Sequence, residues 1–115
     1  MTDNPPVVAL TGPGPQPAAG TGARLDPLFA DPVRLGIVSV LAGAEWAEFG
    51  FVRDAVELSD SALSKRISGL SDAGYVEVRK GYVGKRPRTW LNLSAAGRSA
   101  LSAHIAKLQE IAKLL

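Results

Sequence analysis

The spacing of hydrophobic positions is helical in the first half of the chain and predicts three helices in succession. Apolar side chains recur three or four positions apart from residue 32, where Leu35, Val38 and Leu41 share a face that Ile37 widens. Two further stretches repeat this spacing. The predicted elements are helices at 32–42, 49–57 and about 60–73, the last ending at Gly74, with an extended segment at 45–47 and a turn at 58–60.

Strict alternation of apolar and polar residues replaces helical spacing after the third helix. It predicts two half-buried strands, one through Val76 and Val78 and the other through Leu91 and Leu93. The stretch 81–87 between them holds two glycines and a proline, which predict a loop. Helical spacing then returns and continues to the C-terminus.

Cap residues mark where the helices begin. The pairs Asp26-Pro27 and Asp31-Pro32 place an aspartate at the N-cap and a proline at the first helical position, where its missing N–H costs nothing. They predict a short helical turn from Pro27 and a full helix from Pro32, while Ser94 is expected to cap the last helix. The resulting order of elements is the winged helix-turn-helix topology, an α+β fold that is mainly α, with a long C-terminal dimerisation helix.

The third helix has two faces of different chemistry. At about 100° per residue, Leu63, Ile67 and Leu70 fall within about 60° of one another and form the buried face. Small residues, hydroxyls and one lysine suit a helix that reads base edges in the DNA major groove, whereas Arg66, beside the buried face, is expected to reach a phosphate or a neighbouring loop. An ordinary solvated helix face is the alternative. The residues on the exposed side are Ser61, Lys65 and Ser68, flanked by Ala62, Ser64 and Gly69.

Positive charge is concentrated around the predicted hairpin. The window 79–88 contains five basic residues and no acidic one, whereas the rest of the chain has eight basic and eleven acidic residues. Such a patch can bind phosphates, or it can simply keep an exposed turn in solution. As the wing of the fold, the segment 80–88 would lie on the DNA backbone or in the minor groove. Its predicted DNA-binding residues are Lys80, Lys85, Arg86 and Arg88.

The last helix, predicted from Ala95 to Leu115, bears an apolar seam in alternating steps of four and three. At about 30 Å this helix is too long for the domain to cover, so a second copy of the chain is the expected partner. Packing against the chain's own first helix is the alternative for part of the seam. His104 near the seam is interpreted as structural, with pH sensing or ligand binding as the alternative. The predicted dimer residues are Leu101, Ile105, Leu108, Ile111, Ala112 and Leu115.

Composition narrows the classes of function. The 115 residues suffice for one small domain, which we expect at 24–115, because residues 1–23 hold five of the eight prolines and predict a disordered tail. The absence of cysteine excludes disulfides and zinc fingers, and a lone histidine leaves no metal cluster. No membrane span or signal peptide is visible, so a cytoplasmic protein is expected. No catalytic constellation or cofactor motif is present, so we expect no enzymatic activity.

Three stretches together resemble the MarR/ArsR-type winged-helix transcriptional regulators, especially the small bacterial subgroup of single-domain proteins. They are DPVRLGIVSVL, LSDSALSKRISGLSDAGYVEVRK and GKRPRTWLNLSAAGRSAL, within a match covering about residues 25–108. The resemblance implies base-reading positions at 61, 62, 64, 65 and 68 and a wing bearing Lys85, Arg86 and Arg88. Two positions depart from the family pattern: Gly50 where Ser or Thr usually opens the second helix, and Glu57 where the turn often has glycine. The Cys and His ligands of metal-sensing members are absent.

These patterns lead to one hypothesis and one alternative. The hypothesis is a homodimeric, sequence-specific DNA-binding transcriptional regulator, a repressor, whose two recognition helices enter successive major grooves about 34 Å apart. The alternative is a winged helix that serves as a protein–protein interaction module and does not touch DNA; the basic wing argues against it. No residue pattern demands a small-molecule effector, and core packing is the expected use of Trp46, Phe51 and Trp90.

Overall fold

The computed structural model describes residues 25–115, and the predicted tail at 1–23 lies outside the described residues. A 3₁₀ turn, Pro27–Ala30, precedes the first α-helix. The helices are α1 Pro32–Ala42, α2 Phe49–Ala55, α3 Asp60–Asp72 and α4 Ala95–Ala112, and the strands are β1 Ala47–Glu48, β2 Val76–Val83 and β3 Arg86–Leu93. The strands form an antiparallel sheet in the order β1-β3-β2. This is a mainly helical winged helix, as predicted.

The predicted helix caps are confirmed by their hydrogen bonds. The Asp26 carboxylate accepts from the Leu28 N–H at 2.9 Å, and the Asp31 carboxylate accepts from the Val33 N–H at 3.1 Å. Ser94 caps α4 through its hydroxyl, which accepts from the Gly97 N–H at 3.0 Å. Each cap satisfies a backbone donor that has no partner inside its helix, so local sequence fixes these starting points.

One hydrophobic core holds the helices on the sheet. The predicted buried face of α3 is confirmed, since Leu63 and Leu70 are fully buried and Ile67 nearly so. The core consists of Phe29, Ile37, Val38, Leu41, Ala47, Val52, Leu63, Ile67, Leu70, Val76, Leu91, Leu93 and Leu101. Packing therefore buries the apolar face of α3 and leaves its polar face at the surface.

α4 is fastened to the domain at its N-terminal end. Gly97 lies against the carbonyl of Tyr75, where a Cβ atom would collide with that backbone oxygen. Arg98 donates to the carbonyls of Ala42 and Ala44, each at 3.3 Å, and of Leu93 at 3.2 Å. These contacts bind the first turn of α4 to α1 and to the end of β3.

Several predicted boundaries are wrong by a few residues. The extended segment lies at 47–48 rather than 45–47, and α2 ends at Ala55 rather than at 57. Glu57 explains the early end of α2, because its φ of 57° is left-handed and stops a helix. α4 ends at Ala112 rather than at Leu115. α2 begins at Phe49 after Glu48, so Gly50 lies inside the helix and is not its cap.

The predicted loop at 81–87 is wrong, because β2 continues through Val83 and β3 begins at Arg86. Only Gly84 and Lys85 form the turn, with Gly84 at a positive φ of 65°. Gly81 looked like a strand breaker in the sequence, but the Trp90 ring lies 3.3 Å from the point where its Cβ would be. The glycine therefore makes room for an aromatic side chain within the ladder.

Candidate nucleic-acid interface

The polar face of α3 is exposed in the structure. Ser59 is the N-cap, and its hydroxyl accepts from the Ala62 N–H at 3.1 Å. Of the predicted base-reading residues, Ala62 is half-buried, whereas the others are at the surface: Ser61, Ser64, Lys65 and Ser68. The face is thus free to meet a partner, with Lys65 as its single cation.

Arg66 contacts a neighbouring segment of the chain. Its Nε donates to Oδ2 of Asp31 at 3.1 Å, and Asp31 at the same time caps α1. Burial raises the pKa of Asp31, but hydrogen bonds from Arg66 and the Val33 N–H outweigh it, and the pKa is held below its ordinary value. Arg66 therefore joins α3 to the start of α1, and of the two expected partners, a phosphate or a neighbouring loop, the structure shows the loop.

A second charged contact, which the sequence analysis missed, lies at the opposite end of the helix-turn-helix. Arg53 of α2 donates through Nη1 to Oδ1 of Asp60 at 2.8 Å and through Nε to Oδ1 of Asp54 at 2.9 Å. The pKa of Arg53 is raised mainly by its hydrogen bond to Asp54 and, to a smaller extent, by its hydrogen bond to Asp60. Asp60 is the first residue of α3, and no local pattern pairs it with a residue seven positions earlier.

The hairpin register places its basic residues on two different faces. Lys80 pairs with Thr89, on the face that also holds Val76 and Val78 and looks toward α3. The opposite face holds three arginines: Arg79, Arg86 and Arg88. Lys85 lies in the turn. The sequence predicts one cluster of cations, but strand alternation divides these residues between two faces of the hairpin.

The outer face of the hairpin is partly occupied by internal contacts. Arg88 forms an ion pair with Glu48 of β1, and both side chains are about one-third exposed. The Arg79 guanidinium lies 5.9 Å from the centre of the Trp90 ring. In contrast, Lys80, Lys85 and Arg86 are exposed and form no ion pair with any residue in 25–115.

A groove of about 480 Å³ separates α3 from the inner face of the hairpin. Its floor is apolar, and Val78, 40% exposed, faces this groove rather than the core. One rim carries three serines of α3, and the other carries Lys80 and Thr89. The lining residues are Phe49, Asp60, Ser64, Ile67, Ser68, Ser71, Asp72, Val78, Lys80, Thr89 and Leu91.

The apolar seam of α4 is divided between the core and the surface. Leu101 is 6% exposed and belongs to the chain's own core, as the alternative for part of the seam anticipated. Ile105, Leu108 and Ile111 are 41%, 39% and 39% exposed, Ala112 is at the surface, and Leu115 lies beyond the end of the helix. The distal half of α4 therefore presents an uncovered apolar stripe.

His104 has a structural role, as interpreted from the sequence. It is 4% exposed, and its Nδ1 accepts a hydrogen bond from the Asp26 N–H at 3.1 Å. Its ring meets Phe29 edge-on, with centroids 5.3 Å apart.

Within residues 25–115 no three His, Asp or Glu side chains lie close enough together to hold a metal ion. No helix in the same range is long and apolar enough to cross a membrane.

Proteins of similar sequence and structure are known. Over 86 residues the chain is 28% identical to an uncharacterized protein of Methanocaldococcus jannaschii, covering 75% of this chain and 94% of that protein. A transcriptional regulator homologue from Pyrococcus horikoshii is similar with a TM-score of 0.70 and 26% identity, over 75% of this chain and 85% of the other. A possible HxlR family transcriptional factor from Thermoplasma volcanium gives 0.59 and 30%, over 78% and 85%.

The fold and these relatives define the class of protein as a winged helix-turn-helix regulator. A family model described as a winged helix DNA-binding domain matches residues 33–112. The chain belongs to this winged helix DNA-binding family. A MarR family regulator from Silicibacter pomeroyi shares the fold, with a TM-score of 0.58 at 19% identity. The regulator class predicted from the three sequence stretches is confirmed.

Proposed function

We propose that this chain is a transcriptional repressor that binds double-stranded DNA as a homodimer and catalyses no reaction. The observation that carries the proposal is the pairing of two rims across one groove. The exposed hydroxyls of α3, at Ser64 and Ser68, face Lys80 of the hairpin, with Lys65 on the outer side of the helix. The small polar residues of the helix fit a major groove, and the basic hairpin beside it is opposite in charge to the adjacent DNA backbone.

The cations divide into two groups under this proposal. Lys65 reads base edges in the major groove together with the small residues around it, while Lys80, Lys85 and Arg86 neutralise phosphates. Arg66 and Arg88 are engaged by Asp31 and Glu48. We assign them mainly to positioning α3 and the hairpin, with their remaining N–H groups available to the DNA backbone.

The homodimer is proposed from the exposed stripe on α4. Leu101 is already buried in its own chain, so the contact falls to Ile105, Leu108, Ile111 and Ala112, with Leu115 following the helix. Three large apolar side chains, each about 40% exposed along one helix, favour a second apolar surface. Two copies joined there would present two recognition helices to half-sites about 34 Å apart.

Repression needs no contact beyond DNA binding itself. A dimer that spans about one helical turn of a promoter occupies the surface that a polymerase must reach. Transcription from a bound template in vitro would fall as the protein is added. Stimulated transcription would instead identify an activator.

A gel shift on genomic DNA fragments tests the DNA-binding proposal. The wild-type chain should retain a subset of fragments, and Lys65→Ala should reduce that selectivity. Lys107→Ala is the matched control, because it removes the same charge from α4, where Lys107 pairs with Glu110. Three phosphate contacts per protomer would give a logarithmic salt slope of about −5. Failure to retain any fragment would favour the protein–protein alternative.

A further inference from the structure

We propose that Asp60 reads the exocyclic amino group of a cytosine in the major groove, and that Arg53 positions its carboxylate for this contact. The inference rests on the proposed DNA-binding function. Among the common base contacts, an acidic side chain is the one that accepts from cytosine N4. It would give the regulator a base preference that Lys65 and the serines of α3 do not supply.

The position of Asp60 favours a base contact. It is the first residue of α3, and the N-terminal residues of a recognition helix are those that approach base edges. Its side chain is 74% exposed, and it lines the end of the groove that also contains Ser64 and Ser68. Asp60 thus stands on the same rim as two of the predicted base-reading residues.

A carboxylate at this position would ordinarily weaken DNA binding, because it repels phosphates. Arg53 offsets this repulsion by donating a hydrogen bond to Oδ1 of Asp60 at 2.8 Å. Arg53 is itself held by Asp54 at 2.9 Å, so its guanidinium has a fixed orientation between two carboxylates. The charge on one oxygen of Asp60 is thereby offset, and the carboxylate is oriented from that side.

The remaining oxygen, Oδ2, accepts no hydrogen bond from any residue that the structure describes. An acceptor with a free lone pair, on a carboxylate that Arg53 orients at the start of the recognition helix, meets the requirement for reading a donor on a base edge. Cytosine N4 is a donor in the major groove, adenine presents its N6 donor beside the N7 acceptor, which repels a carboxylate, and a thymine O4 or guanine O6 in that place would also be repelled. The pair therefore discriminates by both attraction and exclusion.

The alternative is that Asp60 only stabilises the N-terminus of α3 through the helix dipole. Selection of bound sequences from a randomised duplex pool separates the two roles. The full wild-type chain should enrich cytosine at one position of each half-site. In Asp60→Ala we expect that preference, about fivefold for a single contact, to disappear while preferences elsewhere remain.

Asp72→Ala is the matched control, since it removes an exposed carboxylate from the other end of the same helix and groove. It should leave every base preference unchanged. If Asp60→Ala is poorly folded, Asp60→Asn decides, because the amide should shift the preference from cytosine toward adenine. An unchanged profile in the folded variant overturns the inference, whereas a wild-type chain that selects no sequence overturns the proposed function as well.

The positioning role of Arg53 is tested by comparing two substitutions of this residue. Arg53→Gln should lower affinity for all sequences and blur the cytosine position, because the Asp60 carboxylate is left uncompensated. Arg53→Lys should restore the general affinity but not the full preference, because one ammonium group cannot hold two carboxylates in the same fork geometry. A preference that survives in Arg53→Gln would show that Arg53 does not position Asp60.

Discussion

The imidazole Nδ1 of His104 accepts a hydrogen bond from the backbone N–H of Asp26, 78 residues earlier in the chain, at 3.1 Å. The Asp26 carboxylate in turn accepts from the Tyr75 hydroxyl at 2.6 Å. Phe29 packs on both rings, with centroid distances of 5.5 Å to Tyr75 and 5.3 Å to His104. This cluster joins the 3₁₀ turn at the start of the domain, Tyr75 just before β2, and the middle of α4.

The His104→Ala substitution should destabilise the domain by about 2–4 kcal/mol, because it opens a cavity beside Phe29 and leaves the Asp26 N–H without its acceptor. Urea unfolding would measure the free energy of unfolding. Ser102→Ala, at the surface of the same helix, should stay within about 0.5 kcal/mol of the wild type. An equally small effect for His104→Ala would contradict the structural role of this side chain.

Asp31 should make the stability of the domain depend on pH in the acidic range. Its pKa is lower in the folded chain than its ordinary value, so the folded state favours the carboxylate. The stabilisation is therefore complete above about pH 5 and is lost as the pH falls through about 4 and below.

The free energy of unfolding, measured from pH 7 to pH 2.5, should fall less steeply for Asp31→Asn than for the wild type. Arg66→Gln should reduce the difference, because it removes the partner at 3.1 Å while the Val33 cap remains. Parallel curves for the wild type and Asp31→Asn would show that Asp31 does not contribute to the acid sensitivity.

Arg86 and Arg88 are two residues apart on one face of β3, and they should respond differently to removal. Arg86→Ala should leave the melting temperature unchanged and reduce the salt slope of DNA binding by about 1 per protomer, because this exposed side chain is assigned to a phosphate. Arg88→Ala should lower stability by up to about 1 kcal/mol, since Glu48 loses its partner. Thermal melts and fluorescence anisotropy at several salt concentrations would make the comparison, and a reversed pattern would refute the division between the two arginines.

Leu108→Glu should convert the proposed dimer to monomer, because it places a charge in the middle of the exposed stripe of α4. Sedimentation equilibrium would measure the association, and DNA affinity should fall with it, since two half-sites would no longer be bound together. Gln109→Glu adds the same charge at the neighbouring surface position and should leave the association intact. Identical association for the two variants would exclude this stripe as the dimer contact.

The features that could be predicted from sequence are those that depend on neighbouring residues. Aspartates 26 and 31 and Ser94 cap their helices through bonds that span two or three positions, and these starting points were correct. The buried face of α3 was also predictable, because helical periodicity determines which residues turn inward.

The errors arise where a distant part of the chain decides the outcome. Gly81 lies within a strand and leaves the space above it to the Trp90 ring, and that contact is invisible in the local pattern. The end of α2 is an exception of local origin, because Glu57 adopts a left-handed φ of 57° although glycine suits that geometry better. The ion pairs of Arg53, Arg66 and Arg88 each join two different elements of the fold. The sequence therefore predicts cations at the site, but it does not predict which of them form ion pairs within the chain and which are available to a partner.

Because the turn at Gly84 and Lys85 has only two residues, the number of residues in each strand determines which face of the wing each side chain occupies. Side chains alternate across a strand with a period of two, so inserting one residue between Val78 and Lys80 would move Lys80 to the outer face and bring Tyr82 out of the inner row. A two-residue insertion would preserve the faces and only lengthen the wing. Length changes in this hairpin should therefore be tolerated in even steps, and relatives that differ by an odd number should show a compensating bulge.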